Sequence, residues 1–123
     1  MLLLDLADAC RKSGLPVVEV DGWKGRGHGQ MTAVETVVCH HTATSAKASG
    51  NYPSLGIVRD GRSDLPGPLS QLGLGRDGTV YVIAAGLSYH AGATFLSSQG
   101  NSRAIGIEAE HDGLSPWRPE QRD

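Results

Sequence analysis

Cysteine is scarce in this 123-residue chain, which has only Cys10 and Cys39. Two are too few for the disulfide framework of a small secreted domain, and they form no CxxC pair for redox or structural zinc chemistry, so a cytosolic origin fits. Aromatic residues are few as well, two Trp, three Tyr and one Phe, which leaves a small and mainly aliphatic core. No apolar run approaches the ~20 residues that span a bilayer, and no membrane association is expected. The opening stretch, Met1 to Cys10, is interrupted by Asp5 and Asp8 and has no basic segment before it, so it does not read as a signal peptide. Neither sign of charge dominates: 11 Lys and Arg stand against 13 Asp and Glu, a formal net charge of −2. The broad positive field of a nucleic-acid binder is therefore missing, and no nucleic-acid partner is expected.

Glycine is abundant, with 17 residues, about twice the usual share of ~7%. The length suits one domain with one core. Leu3, Leu6, Ala7 and Cys10 recur at helical spacing, and Gly14 and Pro16 end the pattern, which predicts a helix over Leu2–Lys12. Val17 to Val20 reads as a short strand, and Asp21 to Gly29 as a glycine-rich loop lacking the Lys-Ser/Thr pair of a phosphate loop. Val34 to His41 is the best strand candidate. Residues 44–68 read as a surface segment with one helical turn near Ser54 to Val58. Arg76-Asp77-Gly78 between two apolar runs, 69–75 and 79–84, predicts a hairpin. Ala104 to Glu110 is a further strand, and Pro119 with Glu120 marks a helix start close to Asp123.

Strand alternation sorts the polar residues. His40 shares a face with Thr36 and Val38, whereas His41 lies with Val37 and Cys39. His40, at the end of a strand, has a rigid mount suited to a zinc ligand, although a single such histidine is more often hydrogen-bonded scaffold. Glu108 and Glu110 both fall on the face opposite Ile105 and Ile107, and either could serve as a general base or remain a surface carboxylate. His90 leaves the hairpin at a point where it could touch a ligand or cap a turn. His28 and His111 sit in Gly- and Asp-flanked loops and are expected to be solvated. Cys39 faces away from His40, which argues for a buried free thiol rather than a nucleophile. No GxSxG elbow is present.

Four blocks in this order, VVCHHTAT (37–44), GLGRDGTVYVIAAG (73–86), YHAG (89–92) and NSRAIGIEAEHDG (101–113), resemble the zinc-dependent N-acetylmuramoyl-L-alanine amidases of the type 2 family. That family shares its fold with peptidoglycan recognition proteins. The stretch ending in GWKGRGHG (22–29) is most similar to cell-wall amidases of actinobacterial phages, the endolysins. The resemblance implies an α/β fold with a mixed central β-sheet flanked by helices. It implies that residues 1–123 are the N-terminal and central part of a single amidase domain. His40 corresponds to the first zinc ligand, Glu108 to the proton-handling carboxylate, and His41, Thr42, His90 and Asn101 to positions along the substrate groove. The implied partner is bacterial peptidoglycan, cut at the amide between N-acetylmuramic acid and L-alanine. The protein would be made in the host cytoplasm and act on the wall after release.

Two positions depart from the family pattern. Where some members carry a catalytic Tyr before the RDG turn, this chain has Ser70. The second zinc His and the third ligand, an Asp or Cys, follow a helix that begins where this sequence stops, so the domain is expected to be C-terminally truncated. Zn2+ belongs to the complete domain and should be weakly held or absent here. An uncovered sheet face, self-association or pairing with the missing C-terminal segment, and loss of activity are the corresponding expectations, and a non-catalytic peptidoglycan-binding module is the alternative.

Overall fold

The computed structural model describes residues 1–92 and 100–123. The elements are α1 (Leu6–Arg11), β1 (Val17–Glu19), a 3-10 turn (Trp23–Gly25), β2 (Thr36–His41), α2 (Leu55–Asp60), β3 (Gly61–Arg62), β4 (Leu65–Pro66), β5 (Leu72–Leu74), β6 (Val80–Val82), β7 (Ala104–Ala109) and α3 (Pro119–Arg122). No helix among the described residues is long and apolar enough to cross a membrane.

The two longest strands are TVVCHH and AIGIEA, six residues each. They pair in parallel from Thr36 opposite Ala104 to His41 opposite Ala109. The RDG turn closes β5 on β6 as an antiparallel hairpin, with Leu74 opposite Val80. β5 joins β7 and β6 joins β1, both in parallel, which gives a mixed sheet in the order β1-β6-β5-β7-β2. This is the fold that the resemblance implies.

These registers divide the side chains between two faces. One face carries Ile105, Leu72 and Val82 and packs against Leu3, Leu6 and Ala7 of the α1 region and against Trp23. The other carries Tyr81 and, with Ile83 and Val20 at its margin, meets Tyr52, Leu55 and Val58 around α2. Helices thus flank both sides. Gly73, on the second face, sits under Tyr52, since a Cβ there would lie 2.5 Å from the ring.

Two expectations need correction. The first helix spans only Leu6–Arg11, because Leu3 N–H donates to Ala85 C=O at 2.8 Å and holds the opening residues against the sheet. β2 is an edge strand, and the face bearing Val37 (51% exposed), Cys39 and His41 is open. Cys39 is therefore exposed and not a buried thiol.

Glu110, 1% exposed, ties the segment after β2 to the end of β7. Its carboxyl accepts hydrogen bonds from Ser54 N–H and Ser54 Oγ, both at 2.7 Å, and from Thr42 Oγ1. Thr44 Oγ1 completes the chain at 2.6 Å from Ser54 Oγ. Removing the acceptor leaves buried donors unmatched. Glu110→Ala should lower the unfolding free energy by about 3 kcal/mol, the scale of such a loss. An unchanged denaturant midpoint would show that this network does not hold the fold.

Candidate active site

The pairing of β2 with β7 places His40 directly beside Glu108 on one sheet face. A third residue arrives from the loop after β6. Asn101 Oδ1 accepts the backbone N–H groups of His90 at 3.0 Å and Ala91 at 2.8 Å, and so fixes where the loop turns. The His90 ring then packs against Gly106, where a Cβ would come within 2.5 Å of His90 Cγ. A glycine inside a strand marks such a close approach.

The contacts of His90 settle both tautomers. His90 Nε2 lies 3.0 Å from Ala104 C=O, which can only accept, so Nε2 carries the proton. In the neutral ring His90 Nδ1 is then an acceptor, and it faces His40 Nε2 at 3.2 Å, which must donate. Burial, and then the charge of His41, lowers the His40 pKa. Burial likewise lowers that of His90, against the Ala104 carbonyl, with His40 adding to the lowering. Both rings are neutral at pH 7, and the lone pair left free in this pair is on His40 Nδ1.

Beyond His90 opens a cleft of about 560 Å³, walled by Glu108, His90, Asn101, Leu69 and Arg62 among others. His40 does not line it and reaches it through His90. Burial pushes the Glu108 carboxyl up to about 7, with Arg62 pulling it down and Glu110 pushing it up. A carboxyl poised near neutrality is suited to taking and returning a proton at working pH.

The structure thus brings His40, His90, Asn101 and Glu108 together. His41 lies on the opposite, open face, with its ring 6.3 Å from that of His111. The Thr42 hydroxyl is engaged by Glu110. Ser70 is fully buried, its Oγ 2.6 Å from Gly106 C=O and 2.8 Å from Leu72 C=O, away from the cleft. His28 and His111 are not solvated as expected. His28 stacks on Tyr89 at 3.7 Å, with Nε2 buried and without a hydrogen-bond partner among the described residues. His111 stacks on Trp117 at 3.9 Å, Nδ1 accepting from Gly113 N–H and Nε2 donating to Ser115 C=O. Tyr52 is a site residue that the sequence did not single out. Its hydroxyl donates to the Glu108 backbone carbonyl at 2.7 Å, and burial raises its pKa. The signal was Gly73, a glycine in a strand that leaves room for its ring.

The model of the N-acetylmuramoyl-L-alanine amidase family matches residues 30–123, which include every residue of this constellation. The chain belongs to that family. Among solved structures it is similar to the Drosophila peptidoglycan recognition protein PGRP-SA, with a TM-score of 0.53 and 19% identity over 87% of this chain. At that identity the likeness shows the fold. The chain spans 65% of the length of that protein. No curated protein matches it.

Family membership raises the question of a metal. Among the described residues no three His, Cys, Asp or Glu side chains converge on one point. Both nitrogens of His90 are engaged, so His40 Nδ1 is the nitrogen of the histidine pair whose lone pair has no partner among the described residues. A catalytic zinc usually takes three protein ligands, and these residues do not assemble that shell.

The raised Glu108 pKa makes a stability prediction for this amidase-family chain. With a folded value of about 7 against an ordinary 4.5, the protonated carboxyl is favoured by folding. That stabilisation is complete below pH 4.5 and is lost as pH rises through 7. Glu108→Gln, which stays neutral, should gain melting temperature relative to the native chain between pH 5 and pH 8. Thermal unfolding at the two pH values measures this, and a difference independent of pH would mean that Glu108 is solvated like an ordinary glutamate.

Proposed function

We propose that the chain provides the substrate groove and proton-handling residue of a peptidoglycan amidase of the endolysin type, acting on the amide between N-acetylmuramic acid and L-alanine. The observation that carries this reading is the Glu108 carboxyl, held near pKa 7 in a cleft whose other wall is His90 and Asn101. Glu108 would accept a proton from the attacking water and return it to the departing alanine amine. His90, neutral and fixed by Ala104 and His40, orients one wall of the groove. The phage assignment, with synthesis in a host cytoplasm, rests on the resemblance of the GWKGRGHG stretch alone.

The donor set favours a second reading, a peptidoglycan-binding module. With His40 Nδ1 the one nitrogen of the pair left free among the described residues, the chain alone is expected to bind wall material more readily than it cuts it, and to hold zinc weakly. Co-sedimentation with purified peptidoglycan, metal analysis and release of alanine amino termini separate the two. Binding with well under one zinc per chain and little release is the expected result. One tightly held zinc per chain would contradict the account of the metal, and absence of binding would contradict both readings. Whatever release the native chain shows should fall ~10²–10⁴-fold in Glu108→Gln, the usual effect of losing a general base, with binding retained.

A further inference from the structure

Arg62 faces into the same cleft as Glu108 and is the one Lys or Arg among the described residues that line it. It stands on a small hairpin, β3 with β4, in which Gly61 pairs with Pro66 and Arg62 with Leu65. The hairpin is rooted at its base. Gly67 N–H donates to Asp60 C=O at 3.2 Å and Leu69 N–H to Val58 C=O at 2.7 Å. Gly61, at φ +96°, leaves room for the returning strand, since a Cβ there would lie 2.2 Å from Gly67 N. The arginine is thus presented from a fixed mount at the end of α2.

No close pairing in the described fold uses its charge. No described residue accepts a hydrogen bond from the guanidinium, and its carboxylate neighbour, Asp64, lies 3.5 Å from Nε with both side chains more than half exposed. A contact of that kind contributes little. The Glu108 carboxyl feels Arg62 through the cleft, yet burial outweighs that pull. A planar fork of donors with no hydrogen-bond partner among the described residues, beside a groove, suits a ligand carboxylate.

We propose that Arg62 binds the free carboxylate of the peptide residue that follows the alanine, so that the cleft takes acidic peptide stems in preference to amidated ones. The proposal rests on the reading of the cleft as a muramoyl-peptide groove. That carboxylate sits about two residue lengths, ~7 Å, from the scissile carbonyl, a span that a cleft of about 560 Å³ accommodates.

The test is calorimetric binding of two muramoyl tripeptides to the whole chain. Their second residue is γ-linked D-glutamate, with its α-carboxylate free in one compound and amidated in the other. The native chain should bind the free acid about tenfold more tightly, the scale of one charge-assisted hydrogen bond. Arg62→Gln should bind both at the level of the amide, and Arg62→Lys should keep part of the preference, since it retains charge without the fork. Because Arg62 is exposed, melting of both variants should match the native chain. Equal binding of both compounds by the native chain, or an undiminished preference in Arg62→Gln, overturns the proposal and leaves the muramoyl groove standing. Binding of neither compound overturns that groove and the proposal with it.

Discussion

The parallel register of β2 on β7 is the constraint from which the site follows. It sets His40 opposite Glu108 and Val38 opposite Gly106. A slip of one residue would turn His40 to the open face and bring His41 beside Glu108, since side chains alternate along a strand. With the register in place, Gly106 becomes the floor on which the His90 ring rests, and the ring reaches both the Ala104 carbonyl and His40. One strand pairing therefore positions three side chains brought from widely separated parts of the chain.

The same strand carries two carboxyls with different fates. Glu110 is enclosed by Ser54 and Thr42 and is part of the scaffold, whereas Glu108 keeps its side chain toward the cleft and gives only its backbone carbonyl to Tyr52. A buried carboxyl surrounded by donors holds structure together. One facing a cleft with few donors is held near neutrality by desolvation. The difference between the two lies in what the 42–54 segment offers each of them.

Much of this was legible in the sequence where the signal is local. Period-2 alternation was enough to separate His40 from His41 and Glu108 from Ile107, and the DG turn to place the β5–β6 hairpin. The choice between Glu108 and Glu110 was not legible from alternation, because Ser54 lies 56 residues from Glu110 in the chain. The family resemblance selected Glu108, and the geometry gives a physical ground for the different environments. His28 and His111 looked solvated because their stacking partners, Tyr89 and Trp117, are decided by tertiary packing. The exposure of Cys39 depends on β2 being an edge strand, which no local pattern encodes. Arg62 looked like one more surface charge until the β3–β4 hairpin set it over the cleft.

The functional reading depends on a carboxyl that burial keeps protonated until near neutral pH although Arg62 faces the same cleft. A carbon-detected NMR titration of the Glu108 side-chain carboxyl, in the native chain without ligand, measures that property at the atom concerned. The account predicts a midpoint close to 7. A midpoint near 4.5 would mean that the cleft is open to water at Glu108, and the proton-handling role would have no physical basis.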